Sequence, residues 1–263
     1  MGEEEPDEEA VEASAVPTQE DEVAAATYDV YLEQAADGAT LALILDLAGC
    51  FAGGASQEEA LDRLQAAVAE YHRWLRLHDD YMPEVRGPFV FEVKETFEIA
   101  YEGDYEINSF FAPDAEAASG EDIEWALALL GWQREDILER VKGLSDEALD
   151  WKLADMPGSM SIRQALEHVA QAEVWYLGRL DETPPRIVVA DLPGSTLERL
   201  QRVRQAAIQR VQTYPKELRG KVFTHQGERW SLRKVLRRAV WHERDHLQQM
   251  DAMLAAYRVS VGR

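Results

Sequence analysis

The sequence predicts an α+β chain, a small β-β-α-β unit followed by an all-α four-helix bundle. Three observations carry this. Two short apolar runs, YDVYLEQ and TLALILDL, flank a polar Asp37-Gly38 turn, the signature of a β-hairpin. From Glu121 onward apolar residues recur at the helical period in four segments, with no strand pattern between them. Between these textures lies a small, polar stretch, APDAEAASG, with the composition of a domain linker.

The first 26 residues hold ten acids and no base, lack aromatics and show no periodic apolar face. A disordered, solubilising tail is expected there, and a secretory leader is not, because the chain opens on Glu3, Glu4 and Glu5. The net charge of −23 disfavours nucleic acid as a partner, although residues 196–263 carry 15 bases against 6 acids. The longest apolar stretch, TLALILDLAGCFAGGA, is interrupted by Asp46 and ends in glycines, so no membrane span is expected. A single cysteine, Cys50, rules out an internal disulfide framework and points to a reducing, cytoplasmic setting.

Residues 27–112 form the first unit. After the hairpin and a Gly-rich connection, Ser56 followed by Glu59 is a capping box, and Ala60, Leu61, Leu64, Ala67, Val68, Tyr71 and Leu75 keep the helical period. PFVFEVKETFEIAYEGDYEINSFF has strand composition, with alternation at Phe89, Phe91 and Val93. The run DLAGCFAGGASQEEALDRLQ, a Gly-Cys pair, a later Gly pair, a capping residue and then E-E-A-L, resembles the HicB-like family. That resemblance implies an antitoxin-like domain that covers a small protein partner, without the DNA-binding segment that usually follows it.

Residues 113–119 are the linker and 120–258 the bundle. Helix one is expected over 121–141, with Ile123, Leu127, Leu130, Ile137, Leu138 and Val141 apolar. Helix two opens at Ser161 with Gln164 and ends near Leu180; helix three opens at Ser195 with Glu198 and ends near Tyr214. Helix four runs from Ser231 to Tyr257. Four amphipathic helices joined by short connections predict a bundle.

The last helix carries WHERDHLQQM, in which His242 and His246 stand four apart with Glu243 between them. The letters match the H-E-x-x-H zinc-protease pattern. Such proteases take a third ligand downstream, but Gln249 and Ala252 occupy the relevant positions and the sequence given stops at Arg263. Glu243 is turned about 100° from His242 by helical pitch, and a solvated surface acid is expected. A metalloprotease is therefore not expected. The apolar stripe of helix four passes through Leu232, Val235 or Leu236, and Ala239 to positions 242 and 246, then Met250, Met253 and Tyr257. On helix two, His168 lies on or beside the stripe Ile162, Ala165, Val169, Ala172, Tyr176. Two inward imidazoles at i, i+4 and a third from a neighbouring helix can form a facial three-nitrogen metal site with open positions. Zinc, nickel, iron and copper all suit three imidazoles. His72, His78 and His225 show no such pairing and are expected on the surface or in loops.

SIRQALEHVAQAEVWYLGRL and RWSLRKVLRRAVWHERDHLQQM resemble the DinB-like family, also called YfiT-like metalloenzymes. The resemblance implies a divalent-metal site at His168, His242 and His246. It also implies a transferase or isomerase acting on a small-molecule substrate through a small cellular thiol, as some members do. Cys50 lies in the other unit and is expected to be a buried hydrophobe, so any reacting sulfur would arrive with a ligand. Arg238, one turn before His242, is a candidate for a thiol cofactor's carboxylate, although RWSLRKVLRR reads more simply as the wet face of helix four. Trp175, Tyr176 and Trp241 either line a pocket or pack the core, and DMPGSMS, residues 155–161, stands where it could cover the site. The competing reading is a non-catalytic, antitoxin-like binding module with a structural or dimerising bundle; a homodimer is expected in either case. The two units are expected to fold independently.

Overall fold

The computed structural model describes residues 26–152 and 159–262. The expected acidic tail and most of DMPGSMS lie outside the described residues. The N-terminal unit is mixed and the rest mainly helical, as expected, but the main sheet has one strand more than expected and two short hairpins are added. Strands β1 (Thr27–Gln34), β2 (Thr40–Ile44) and β3 (Cys50–Gly54) precede helix α1 (Gln57–His78), and β4 (Val90–Glu98) completes a four-stranded sheet in the order β3-β2-β1-β4. The stretch read as a Gly-rich connection is β3. It pairs antiparallel with β2 from Thr40↔Gly54 to Ile44↔Cys50, and Gly54 brings the chain so close to Ala60 N and Glu59 that no Cβ fits there. A short hairpin, β5 (Ala100–Glu102) and β6 (Tyr105–Ile107), follows.

The pleat of β1 sends alternate residues to two different partners. Val30 and Leu32 face α1 and are buried with Ala42 and Ile44 of β2 and Leu64, Val68 and Tyr71 of α1. Tyr31 and Glu33 point the other way, Tyr31 packing on Phe111 (5.1 Å between ring centres) and Glu33 meeting the last helix. Phe51, opposite Leu43 in the β2–β3 register, also faces the bundle and meets Trp241 edge-on at 6.0 Å.

The bundle helices are α2 (Gly120–Val141), α4 (Ile162–Gly178), α5 (Thr196–Gln212) and α6 (Leu232–Ser260), with a short α3 (Asp146–Asp150) between the first two. Ser161 and Gln164 cap α4 reciprocally, as Ser195 and Glu198 cap α5, each side chain taking the other's backbone N–H. The two-stranded hairpin β7 (Phe223–His225) and β8 (Glu228–Trp230) that leads into α6 was not expected, because three-residue strands are too short for a periodic pattern. Trp230 from β8 is fully buried between the units.

The junction departs most from expectation. One apolar cluster runs from Val30, Leu64 and Trp74 through Leu129 and Leu130 to Trp230, Val235 and Val240, so the core is continuous across the boundary. The basic run on α6 is dry rather than wet. Lys234 is fully buried on Glu228 (2.7 Å), and burial pushes its amine down to about 8. Arg237 pairs with Asp114 (2.7 and 3.0 Å) and Ser109, and Arg238 with Glu33 (3.2 Å) and Asn108 (3.1 Å). Arg244 stacks on Tyr71 and Trp74 of α1. His72 and His78 are likewise not surface groups: His72 bonds Tyr28 (2.9 Å), and His78 stacks on Trp132 and approaches Asp136, which also accepts from Trp74 (2.7 Å). His225 meets the Arg179 carbonyl at 3.0 Å.

The junction carboxylate gives the fold a pH signature. Burial alone would raise the Glu33 carboxyl, but Arg238, Arg237 and the Ser109 hydroxyl outweigh it and its pKa falls below the ordinary 4.5. A depressed folded-state value stabilises the protein fully above the unfolded value, and that stability is lost as pH falls through the folded value. Thermal melts from pH 7 to pH 3 should hold a level midpoint down to about the ordinary carboxylate range and fall below it, less steeply in Glu33→Gln. An equal acid decline in the variant would assign the effect to other carboxylates.

Candidate metal centre

His168 comes from α4 and His242 and His246 from α6, the two helices packing side by side. The i, i+4 step keeps the α6 imidazoles on one face, their ring centres 4.5 Å apart. His242 Nε2 lies 3.1 Å from His168 Nε2 and 3.2 Å from His246 Nε2, and the ligand nitrogens of all three lie within 4.8 Å of one another. The structure thus brings together the three histidines that the sequence nominated. His168 stands at the exposed edge, His242 is partly buried and His246 buried.

Nitrogens converging at this distance can share a proton or hold one ion between them. Burial depresses His168 and drives His242 down to about 2, helped by His246, His168 and Arg238, so both rings are neutral at physiological pH. Neutral imidazole nitrogens are the form that binds metals. Two nitrogens about 3.2 Å apart both fall within reach of one ion at metal–nitrogen distances of about 2.0–2.1 Å. The donor set therefore fits a divalent cation, with three protein ligands and the fourth position free. Tyr176 closes the inner side, its ring edge-on to His242 at 5.7 Å. Trp241 lies on the sheet side between Phe51 and the Arg238 guanidinium (4.3 Å), and Trp175 packs on Trp230.

Two expectations need correction here. Glu243 is not a solvated acid but 2 % exposed in the bundle centre. Its carboxylate takes Arg134 Nε (2.8 Å) and the Arg204 guanidinium, while Glu173 takes Arg204 Nε (2.5 Å) and Arg134 Nη2 (3.4 Å). Each of the four long helices supplies one member of this closed ring, and the spare donors reach the Leu200 and Leu130 carbonyls. Burial would raise the Glu243 carboxyl, but the two arginines hold it low and ionised. Both of its oxygens are engaged by guanidinium groups. Arg238, the candidate for a cofactor carboxylate, has its guanidinium engaged by Glu33 and Asn108 in the junction.

The sequence reading missed the ring, although its signal was present. Arg134, Glu173, Arg204 and Glu243 all occupy apolar-stripe positions, as Glu173 does between Val169 and Tyr176. It also missed Gln249, whose Oε1 lies 2.8 Å from His246 Nδ1.

Comparison with known proteins agrees on the helical part. Residues 129–250 match the DinB superfamily. Among solved structures, YfiT from Bacillus subtilis, described as a probable metal-dependent hydrolase with an unusual four-helix bundle topology, is similar at 21% sequence identity. The similarity covers 56% of this chain and 91% of that one, with a TM-score of 0.42. No curated protein matches the sequence. Among the described residues, no helix is long and apolar enough to cross a membrane.

Proposed function

We propose that the DinB-like region is a divalent-metal-dependent enzyme acting on a small molecule, with His168, His242 and His246 as the metal ligands. The convergence of three imidazole nitrogens at the edge of the bundle carries this reading. A divalent ion bound there would supply Lewis acidity, lowering the pKa of a bound water or thiol toward neutrality. The chain's own part is to hold the three nitrogens, to wall the inner side with Tyr176, and to leave the His168 side accessible to a substrate.

The single thiol in the sequence stands apart from the three histidines. Cys50 is 2 % exposed on the far side of the junction, and burial pushes its thiol up to about 12. Reaction with a thiol, the transferase or isomerase chemistry that the DinB-like resemblance implies, would therefore use a small thiol that arrives as co-substrate; reaction with water would be hydrolysis. A second reading gives the N-terminal unit a protein partner, as in HicB-like domains. It is favoured by the Gly49-Cys50 pair and the Ser56-capped E-E-A-L start of α1, the residues that carry the resemblance.

Protein purified without chelator should carry about one divalent ion per chain by elemental analysis, and His242→Ala or His246→Ala should remove it. The loaded protein should then be assayed on ester and amide substrates with and without added small thiols, which separates hydrolysis from thiol transfer. Undiminished metal in both variants would end the reading.

A further inference from the structure

Gln249 stands one turn beyond His246 on α6, exposed at the rim of the site. Its Oε1 lies 2.8 Å from His246 Nδ1. A carbonyl oxygen only accepts, so the hydrogen bond requires the proton on Nδ1 and leaves the lone pair on Nε2. Nε2 is the atom that approaches His242 Nε2 at 3.2 Å. Without an acceptor at Nδ1, the neutral ring would divide between two tautomers, one of which aims an N–H at the neighbouring imidazole. Among the described residues, His246 is the one member of the triad whose outer nitrogen meets a protein acceptor.

We propose that Gln249 is the positioning residue of the metal centre, holding His246 in its Nδ1–H tautomer and fixing the ring so that Nε2 is presented to a divalent cation. The proposal rests on the metal-site reading above. Outer partners of this kind set tautomer and ring orientation, and their removal weakens metal binding by about 10–100-fold. Because the acceptor is an amide, it orients the ring without adding negative charge to the site. A carboxylate in its place would make His246 a stronger donor.

The test uses the full chain with Gln249→Leu and Gln249→Glu. Zinc affinity is measured by competition with a chromophoric chelator, and the His246 tautomer by nitrogen-15 imidazole NMR on metal-free protein. The Leu variant should bind zinc about 10–100-fold more weakly and show mixed His246 tautomers at an unchanged metal-free melting temperature. The Glu variant should bind at least as tightly as the parent. Zinc affinity in the Leu variant within twofold of the parent, an unshifted tautomer, or a loss that the Glu variant does not restore would each overturn the role of Gln249. Absence of zinc uptake by the parent protein would instead refute the metal centre itself.

Discussion

Replacing Glu243 by glutamine should lower the unfolding free energy by about 3–5 kcal/mol, the usual cost of removing one partner from a buried ion pair. The variant keeps the side chain's shape but leaves Arg134 and Arg204, each less than a tenth exposed, with Glu173 as their remaining carboxylate. One positive charge is then buried without compensation, and desolvation rather than lost attraction sets the penalty. Urea unfolding of the metal-free protein provides the measurement, so that any change at the neighbouring His242 does not enter. A second variant, Arg134→Met with Glu243→Leu, should be less unstable than the sum of its two single changes, because it removes a matched pair. A Glu243→Gln midpoint indistinguishable from the parent would show that the ring is solvated or loosely held.

The bundle expressed as residues 115–263 should fail to fold cooperatively, contrary to what the linker composition suggests. Removing the first 114 residues takes Glu33, Asn108 and Asp114 from the α6 arginines and Tyr71 and Trp74 from Arg244. It also uncovers the apolar side of the junction, where Trp230, Val235 and Val240 share a cluster with Val68 and Leu75. Burial is worth roughly 25 cal/mol per Å² of apolar surface, so opening such a face outweighs the few ion pairs it carries. Near-ultraviolet circular dichroism and a thermal scan decide it. A soluble fragment with native aromatic signals and a melting temperature close to that of the full chain would show that the bundle stands alone.

How far the sequence could be read depended on how local each signal was. The four long helices were legible to within about three residues, because period and capping boxes such as Ser161 with Gln164 act over a few positions. The clustering of the three histidines was legible too: two of them are fixed by one helical turn, and the third sits on a stripe that packs against them. Charges inside the fold were not. An arginine at an apolar-stripe position looks the same in sequence whether it reaches water or meets a carboxylate more than a hundred residues away, as Arg134 meets Glu243 and Arg237 meets Asp114. The run from Lys234 to Arg238 read as solvent-facing because the strand and loop that cover it belong to the other unit. Strand β3 hid behind its glycines, which are depleted in strands generally but are needed at Gly54, where helix α1 begins almost in contact.

The closed ring of Arg134, Glu173, Arg204 and Glu243 also restricts how this protein can change over generations. Replacing all four by well-packed apolar residues need not cost stability, since burying charge gains little over burying hydrocarbon. Reaching that state one substitution at a time requires passing through a chain with an unmatched charge at its centre, several kcal/mol less stable in a protein whose whole margin is on the order of 5–15 kcal/mol. Four genetically distant codons are thereby tied into one unit of inheritance. Descendants should keep the ring whole or lose opposite charges in pairs, and the histidine beside Glu243 travels with it.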